Sequence, residues 1–542
     1  MNRKSIVMII IFSILPSITL IHFSEGMSKE KSIYEQGFTL SCACWETIDI
    51  SFKLTQSVEH PYDEVFGAIF RGPNGVELNV PGFYSGNGEF IIRFSPTELG
   101  NWTFTTYSTQ SELSEKMGKI HVKENENPNL HGPLIIKKDN PQHFFYADGT
   151  PYFLMAFECD WLFALDLDNP VDIPKTKQLI DLVAKHGFNQ IIMNVYAYDV
   201  QWQKNPDLKK EHDYGSPKIY PFGGTNEKPD FSTLNVEFFN RMDRVIEYLL
   251  QKNVVAHLMI YVWNKKVNWP DMYSKADNRY FDYAVSRYQA FSNIVWDISK
   301  EALAYGRCDM AYVSERIARL RRLDAYKRLL TVHDYSYCQN YPQYVDFISI
   351  QTWRSQLYSD MFQIWQKHAS QPVFNIEHGG YERGKYQVFV GDYTNPIACL
   401  ERNYRCLFAG VYSTYYWQNS SWNVIIHDPM KLPDNEKPKL EYYRYLVDLF
   451  SKYSFSTLKP LQDASSSGYC LSNSEDLYLF VVPAQNGALH TKVANLVDRE
   501  MNATWFNPLT GEYLESGRIQ MRNWHSFQSP WENQMTVLIL KK

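Results

Sequence analysis

The sequence has no block of five or six like charges and no basic stripe. Its 54 lysines and arginines are interspersed with 60 aspartates and glutamates, which leaves a net charge of -6. Proteins that bind nucleic acids present clustered positive charge to the phosphate backbone. We therefore predict that nucleic acid is not a partner of this chain.

Cysteine is scarce, with eight residues in 542 and no pair at zinc-finger spacing. Disulfide scaffolds belong to small secreted domains, so we expect mostly free thiols, or one or two disulfides, and no structural metal. His257, His333 and His378 could suggest a metal barrel, but no His-x-His pair follows the first strand candidate and no carboxylates have ligand spacing. Phosphate-binding glycine loops and the motifs of serine and cysteine nucleophiles are also absent. The sequence predicts neither a catalytic metal nor a cofactor.

Long apolar runs are missing beyond the N-terminus. There, residues 6–20 follow the positively charged segment 1–4, as in a secretory signal peptide. Pro16 makes this run a poor membrane-spanning helix. We predict a signal peptide at residues 1–26, export to the periplasm, the cell surface or the extracellular space, and no other membrane contact.

Aromatic residues are plentiful, since 14 tryptophans, 38 tyrosines and 32 phenylalanines make up 15% of the chain. Most of them are explained by core packing, although aromatic faces also line ligand sites and suit sugar rings. The length exceeds that of a single hydrophobic core, so two to four domains are expected.

Both ends of the chain show short alternating stretches separated by glycine and proline turns. Residues 64–70, 89–94 and 102–106 are examples near the N-terminus, and they indicate an immunoglobulin-like β-sandwich over 33–125. Residues 454–542 show the same pattern and predict a small C-terminal β-sandwich.

The middle of the chain alternates apolar β-rich runs with segments of helical period, which predicts a central (β/α)8 TIM barrel over 133–452. Pro174 begins one helix, Asn235 caps 236–252, Asp309 caps 310–326, and a last helix covers 440–451. The eight strand candidates are residues 152–156, 188–195, 254–261, 293–298, 329–333, 347–351, 372–376 and 410–416. Two long aromatic segments, 199–233 and 263–278, would lie over the C-terminal mouth of this barrel.

Two glutamates follow strand candidates that are far apart in the chain. Glu301 comes after the fourth candidate and Glu377 after the seventh. A glycosidase needs one protonated and one ionised carboxyl group facing each other across the scissile bond. Active sites of such barrels lie at the C-terminal ends of the strands. These two residues are therefore the predicted catalytic pair.

Several motifs resemble those of the apiosidase-like, family-140-type glycoside hydrolases (DUF4038-type barrels). Residues 70–75, 82–86 and 93–102 are similar to the immunoglobulin-like (DUF5060-type) module that precedes many of those barrels. Residues 145–153, 293–301, 377–382 and 505–511 resemble their first barrel strand, their strand-four and strand-seven motifs and the end of their C-terminal domain. The resemblance implies that Glu301 is the acid/base, that Glu377 is the nucleophile, and that the anomeric configuration is retained.

The sequence departs from that pattern before the strand-four glutamate, where relatives have asparagine and this chain has Lys300. A lysine facing the site favours the ionised form of Glu301, which works against a general acid. Lys300 either turns away, binds an anionic or differently substituted sugar, or impairs catalysis, and we favour the second alternative slightly. Residues 158–161 also read Glu-Cys-Asp-Trp where relatives have Asp-Thr-Ala-Trp.

We predict a retaining glycoside hydrolase that acts on a polysaccharide or oligosaccharide. The alternative from another class is a catalytically weakened barrel that binds glycans, and a polysaccharide lyase is a weaker third. The sugar, the linkage, exo or endo action and the oligomeric state stay open. Gln351 and Trp422 are further residues near the strand ends. The predicted substrate-binding residues are Trp161, Asn194, Tyr196, Tyr261, Trp263, Lys300, His333, Trp353 and Trp417.

Overall fold

A computed structural model describes residues 19–21, 31–33, 38–388, 393–465 and 468–542. The predicted signal peptide lies outside the described residues, apart from the short strand Thr19–Ile21, which pairs with Lys31–Ile33. The chain divides into two compact units, Met1–Glu124 and Asn125–Lys542. In the described part of the chain, no helix is long and apolar enough to cross a membrane.

The N-terminal unit is a β-sandwich, as predicted. Its larger sheet contains five strands in the order Phe38–Ala43, Met117–Lys123, Gly100–Ser108, Phe66–Arg71 and Glu77–Pro81. Its smaller sheet contains three strands in the order Ile48–Lys53, Glu89–Phe94 and Phe83–Gly86. Phe70 and Phe94 stack between the sheets with their ring centroids 3.9 Å apart. Gly72 packs directly against Trp102, because a Cβ at this position would come within 2.5 Å of the indole ring.

The second unit contains the predicted barrel of eight parallel strands. In chain order the strands are β1 (Met155–Glu158), β2 (Gln190–Asn194), β3 (Val255–Val262), β4 (Ile294–Lys300), β5 (Leu330–His333), β6 (Ile348–Gln351), β7 (Val373–Glu377) and β8 (Tyr412–Tyr415). Their order in the sheet is β5-β4-β3-β2-β1-β8-β7-β6, and all neighbours are parallel. The barrel is nearly closed, because the Thr331 hydroxyl of β5 donates to the Phe347 carbonyl at 3.0 Å, just before β6.

Eight helices accompany these strands in the described residues. They are α1 (Pro174–Lys185), α2 (Val236–Gln251), α3 (Lys275–Tyr288), α4 (Met310–Leu323), α5 (Tyr335–Asn340), α6 (Leu357–Lys367), α7 (Pro396–Phe408) and α8 (Leu440–Lys452). The predicted caps are present, since Asn235 and Asp309 accept hydrogen bonds from the amides of Phe238 and Tyr312. Helix α4 ends earlier than the predicted residue 326, because the Asp324 carboxylate accepts from the Tyr326 and Arg328 amides and turns the chain.

The first strand candidate, 152–156, corresponds to two elements. Tyr152 belongs to a small antiparallel sheet of Leu134–Lys137, Asn140–Tyr146 and Pro151–Tyr152. Its hydroxyl donates to the Asn189 carbonyl, just before β2. The barrel strand β1 starts only at Met155, so Glu158 is its last residue.

The long segment before α2 contains a hairpin of Phe222–Gly224 and Pro229–Leu234. A second short pair, Tyr381–Glu382 and Tyr393–Thr394, lies between β7 and α7.

The C-terminal domain has a six-stranded sheet in the order Lys459–Pro460, Tyr469–Ser472, Leu477–Val482, Thr536–Lys541, Glu500–Phe506 and Tyr513–Gln520, with a separate pair, Ala488–Thr491 and His525–Gln528. Tyr469 stacks on Tyr358 of α6 with the centroids 3.9 Å apart. Lys452 of α8 lies 3.9 Å above the Tyr513 ring. These contacts attach the domain to the outside of the barrel.

Candidate active site

A cavity of about 900 Å³ opens where the barrel strands end. Its wall is built from the last residues of β6 and β7 and from segments that follow β2, β3, β4, β6 and β8, including parts of both long segments predicted to cover the mouth. The lining residues are Val200, Trp202, Trp263, Asn264, Lys265, Lys266, Glu301, Ala304, Tyr305, Arg307, Gln351, Thr352, Trp353, Arg354, Glu377 and Trp422. Both predicted catalytic glutamates are among them.

Glu377, at the end of β7, is held by four polar side chains. Its Oε2 accepts hydrogen bonds from Gln351 Nε2 at 2.8 Å and from the Tyr381 hydroxyl at 3.0 Å. Its Oε1 lies 2.9 Å from Lys300 Nζ and 3.5 Å from His333 Nε2. The carboxylate is only 1% exposed, so these contacts replace water around it.

The surroundings of Glu377 favour its ionised form. Burial raises the pKa of this carboxyl group, but the charges of Lys300 and His333 and the hydrogen bond from Lys300 outweigh burial. The pKa of Glu377 therefore lies below the ordinary value of a glutamate. An ionised carboxylate is the form that a nucleophile requires.

Lys300 is a fully buried ammonium group among acidic residues of its own chain. Its Nζ lies 2.9 Å from Glu158 Oε1 and 3.3 and 3.2 Å from the two oxygens of Asp160, in addition to Glu377. Burial lowers the pKa of Lys300, but Asp160, Glu158 and Glu377 outweigh it, so this pKa stays well above the ordinary lysine value. Lys300 therefore forms its ion pairs with Glu158, Asp160 and Glu377, and not with Glu301.

Glu158 differs from Glu377 although both are buried beside Lys300. Burial raises the pKa of Glu158 well above its usual range, and the neighbouring charges of Asp160 and Glu377 add to that effect against the opposing effect of Lys300. Burial therefore favours the neutral form of Glu158, whereas the contact with Lys300 favours the ionised form of Glu377.

Glu301 directly follows Lys300 at the end of β4, lines the cavity and is only half-buried. Asn264 Nδ2 donates a hydrogen bond to its Oε2. Its backbone has φ of 56°, in the left-handed region that an L-residue adopts at a cost. Such strained positions are concentrated at functional sites, and here the strain directs consecutive side chains, Lys300 and Glu301, into the site.

Irregular strand pairing also directs the site residues. Between β4 and β5 the register shifts from Asp297↔Thr331 to Lys300↔His333, which gives β4 one extra residue. Between β6 and β7 it shifts after Ile350↔Asn375, so that Gln351 lies opposite Glu377. Bulges of this kind re-aim side chains next to active sites.

A glycine turn after Glu377 brings an aromatic wall to the cavity. Gly379 has φ of 72°, and a Cβ there would approach Trp353 Cβ to 2.8 Å. Arg402 of α7 fastens this turn by donating to the His378 carbonyl at 2.9 Å. Trp353 meets Tyr381 edge to face, with the ring centroids 5.3 Å apart. The turn therefore positions Trp353 and the hydroxyl that binds Glu377.

The predicted substrate-binding residues fall into four groups. Trp263 and Trp353 line the cavity, whereas Lys300 and His333 contact Glu377. Tyr261 is a core residue, since its hydroxyl donates to Asp277. The remaining residues are buried outside the cavity lining and carry polar atoms with no hydrogen-bond partner among the described residues: Trp161, Asn194, Tyr196 and Trp417.

Sequence reasoning missed the cations of the cavity wall and the acidic partners of Lys300. Lys265 Nζ lies 3.9 Å above the Trp422 ring and 3.9 Å from Asp160 Oδ2. Burial and the charge of Lys300 lower the pKa of Lys265. The Trp-Asn-Lys-Lys run at 263–266 was the available signal, because charged residues beside aromatic residues in a long barrel loop are typical of a binding site.

Comparisons with known proteins identify the family of the barrel and give matches for the two flanking domains. A family model described as "Apiosidase-like, catalytic domain" matches residues 138–454. A "Domain of unknown function (DUF5060)" matches 41–109, and a "Putative collagen-binding domain of a collagenase" matches 462–541. No curated protein matches the chain significantly.

Solved structures share the fold at low sequence identity. A "putative glycoside hydrolase" from Bacteroides vulgatus is 17% identical, with a TM-score of 0.77 over 93% of this chain and 100% of that one. A glycoside hydrolase of family 5 from the same organism is 15% identical, with a TM-score of 0.56 over 77% of this chain and 94% of that one.

The barrel, its cavity with two glutamates and the matching catalytic-domain model define the protein as a glycoside hydrolase. More specifically, the chain belongs to the apiosidase-like family, whose model matches more than half of it.

Proposed function

We propose that this glycoside hydrolase retains the anomeric configuration and uses Glu377 as nucleophile and Glu301 as acid/base. The observation that carries the proposal is the contrast between the two cavity glutamates. Glu377 is buried and held by Lys300, Gln351 and Tyr381, whereas Glu301 is half-buried with an amide as its partner. Two carboxyl groups in unequal environments take the two unequal roles that glycoside hydrolysis requires.

The reaction follows from these roles in two balanced steps. In the first, a Glu377 oxygen bonds to the anomeric carbon while the glycosidic C–O bond breaks and Glu301 gives its proton to the departing oxygen. In the second, Glu301 removes a proton from water, the water oxygen bonds to the anomeric carbon, and the bond to Glu377 breaks. Two inversions at one carbon restore the original configuration.

The hydrogen bond from Asn264 suits this use of Glu301. A neutral amide N–H can donate to either protonation state of a carboxyl group. Among the described residues, Glu301 makes no ion pair with a lysine or arginine. It is therefore not fixed in the ionised form by a direct cation, and it can both give and take a proton.

The charges of the cavity wall favour an acidic glycan as substrate. Four cations, Lys265, Lys266, Arg307 and Arg354, line the cavity, and the acidic residues of the lining are the two glutamates. Among the described residues, the exposed side chains of Lys266, Arg307 and Arg354 have no ion pair or hydrogen bond. Unpaired cations at a cleft attract and orient anionic substrates.

The acidic-glycan proposal is tested with one polysaccharide in two forms, a uronate-containing chain and the same chain after carboxyl reduction. We expect Arg307→Gln with Arg354→Gln to lower kcat/KM on the uronate form about tenfold or more and to leave the reduced form nearly unaffected. Arg322→Gln, an exposed arginine on α4 outside the cavity lining, is the matched control. Equal losses on both forms would contradict the proposal.

The catalytic assignment is tested by measuring released sugar from a glycan panel with Glu301→Gln and Glu377→Gln. Each exchange is expected to lower kcat by at least about a hundredfold. Glu382→Gln is the matched control, because this buried glutamate lies five residues beyond Glu377 and does not line the cavity. Unchanged hydrolysis in both test variants would falsify the two-glutamate mechanism, and tight glycan binding without hydrolysis by the unmodified protein would favour the glycan-binding alternative.

A further inference from the structure

The ammonium group of Lys300 donates hydrogen bonds to Glu158 and Asp160 and forms an ion pair with Glu377, all at the C-terminal end of the barrel. Glu158 and Asp160 come from the end of β1, and Glu377 comes from the end of β7. All four side chains are at most 1% exposed, so water does not screen their charges. The group is therefore a buried ionic link that joins the nucleophile candidate on β7 to the ends of β1 and β4.

The link contains groups of both signs. Asp160 forms ion pairs with Lys300 and Lys265, Glu377 forms one with Lys300, and burial raises the pKa of Glu158 well above its usual range. Removing one member of a buried ion pair leaves its partner uncompensated. The ionised state of Glu377 is thus tied to the presence of Lys300.

Other groups also face Glu377, but Lys300 is the closest cation. Its Nζ is 2.9 Å from Glu377 Oε1, whereas His333 Nε2 is 3.5 Å away. Gln351 and Tyr381 are neutral hydrogen-bond donors. The titratable or charged groups around Glu377 come from six strand ends: Glu158 and Asp160 at the end of β1, Lys265 after β3, Lys300 and Glu301 at the end of β4, His333 at the end of β5, Tyr381 after β7 and Tyr416 after β8.

Resting on the function proposed above, we propose that Lys300 is a positioning residue that holds Glu377 ionised and fixes its Oε1. Asp160 positions Lys300 in turn, because both of its carboxylate oxygens lie within 3.3 Å of the ammonium group. The bulge in β4 is what brings Lys300 to this point, opposite His333. Lys300 therefore affects the reaction by setting the ionisation and position of Glu377.

The ionisation of Glu377 can be measured without any substrate. Infrared difference spectra recorded through a pH titration, with the Glu377 band assigned by its loss in Glu377→Gln, give the midpoint of its protonation. We expect Lys300→Met to raise this midpoint by about one pH unit or more, because an opposite charge in contact shifts a carboxyl by that amount. Lys300→Arg, which keeps the charge, is expected to return the midpoint towards that of the unmodified protein.

Two further variants keep the test decisive. Lys300→Met with Asp160→Asn removes one charge of each sign, and it replaces the single variant if that variant does not fold. Lys265→Met is the matched control, because it removes another buried lysine at 3.9 Å from Asp160 that forms no ion pair with Glu377. We expect a smaller shift from it. An equal shift from Lys265→Met, or an unmoved midpoint in both Lys300→Met variants, overturns the assignment.

The inference and the proposed function fail in different ways. On a hydrolysed glycan, the acid limb of kcat/KM is expected to move upward in Lys300→Met together with the infrared midpoint. A moved midpoint in a protein that hydrolyses no glycan supports the role of Lys300 and contradicts the proposed function. An unmoved midpoint in an active protein contradicts the role of Lys300 alone.

Discussion

At the scale of single residues, the position before the strand-four glutamate shows how context decides the effect of a charge. Taken alone, Lys300 is expected to ionise Glu301 and to oppose general-acid catalysis. In the structure its ammonium group contacts Glu377 at 2.9 Å, where an ionised form suits the chemistry. Glu158 and Asp160 complete the arrangement from β1. Departures from the family pattern at residues 158–161 and 300 therefore belong to one buried group.

The sequence could not have shown this grouping. Positions 158 and 300 are far apart in the chain, and the bulge that turns Lys300 inward is a property of strand pairing rather than of residue type. Glu301 and Glu377 could be predicted because each follows an apolar strand in a regular alternation.

Asn264 provides a prediction at this scale. Its amide donates to Glu301 Oε2, so it orients the proposed acid/base. Asn264→Ala is expected to lower kcat roughly tenfold to a hundredfold with a smaller change in KM, because a misplaced catalytic group costs rate rather than binding. Steady-state kinetics on a hydrolysed glycan measure both. Asn205→Ala, at a half-buried asparagine of the 199–233 segment outside the cavity lining, serves as control, and equal effects of the two variants would argue against the role of Asn264.

At the scale of elements, the sequence predicted the existence of all eight barrel strands and the caps of α2 and α4, because their hydrophobic periods and capping residues are local signals. The sequence did not predict the end of α4 or the start of the first barrel strand. Asp324 ends α4 through its hydrogen bonds to the following amides, and Tyr152 joins a separate small sheet. Both outcomes depend on contacts with distant parts of the chain.

The short strand Tyr381–Glu382 offers a prediction about stability. The Glu382 carboxyl group accepts from the Lys439 amide before α8 and from the Tyr415 hydroxyl of β8, so it joins three elements. Burial raises its pKa from 4.5 to about 7. The protonated Glu382 therefore contributes to the free energy of unfolding at low pH. This contribution is lost as the pH rises towards 7, because the unfolded chain releases the proton that the folded protein still holds.

Glu382→Gln cannot titrate, so its stability relative to the unmodified protein is expected to rise between pH 5 and 8 by up to about 3 kcal/mol. Urea unfolding of both proteins at each pH measures the difference. Burial also raises the pKa of Asp334 to about 7. Because Asp334 is present in both proteins, its pH-dependent contribution to stability cancels in the difference. A difference that does not change with pH would show that Glu382 is not protonated in the folded state.

At the scale of the whole molecule, the described chain consists of an N-terminal β-sandwich and a second unit of barrel and C-terminal domain. The sequence pattern predicted an N-terminal β-sandwich, a central barrel and a C-terminal β-domain. They could not predict that the C-terminal domain joins the barrel in one unit, because that depends on pairs such as Tyr358 with Tyr469 and Lys452 with Tyr513.

The N-terminal unit has its own core, with Phe70, Phe94 and Trp102 buried between two sheets. We expect a fragment of residues 38–124 to fold without the rest of the chain. Circular dichroism and a dispersed amide proton spectrum with one cooperative unfolding transition would confirm this. A fragment that gives no such transition would contradict it.

The charged and apolar segments at residues 1–20 lead us to propose export of the enzyme. We expect the protein recovered from a cell envelope or culture medium to begin near residue 26. N-terminal sequencing of that protein, compared with the product of Arg3→Glu and Lys4→Glu, which reverse the positive segment, measures processing. An intact Met1 on exported protein would contradict a cleaved signal peptide.

The proposed mechanism requires that Glu377 forms a covalent bond to the sugar during hydrolysis. Proton NMR recorded in the first minutes of hydrolysis identifies the anomer that is released before mutarotation. We expect this anomer to have the configuration of the bond that was cleaved, because two inversions occur at the anomeric carbon, one as its bond to Glu377 forms and one as that bond breaks. First appearance of the opposite anomer would show a single displacement by water and would contradict Glu377 as nucleophile.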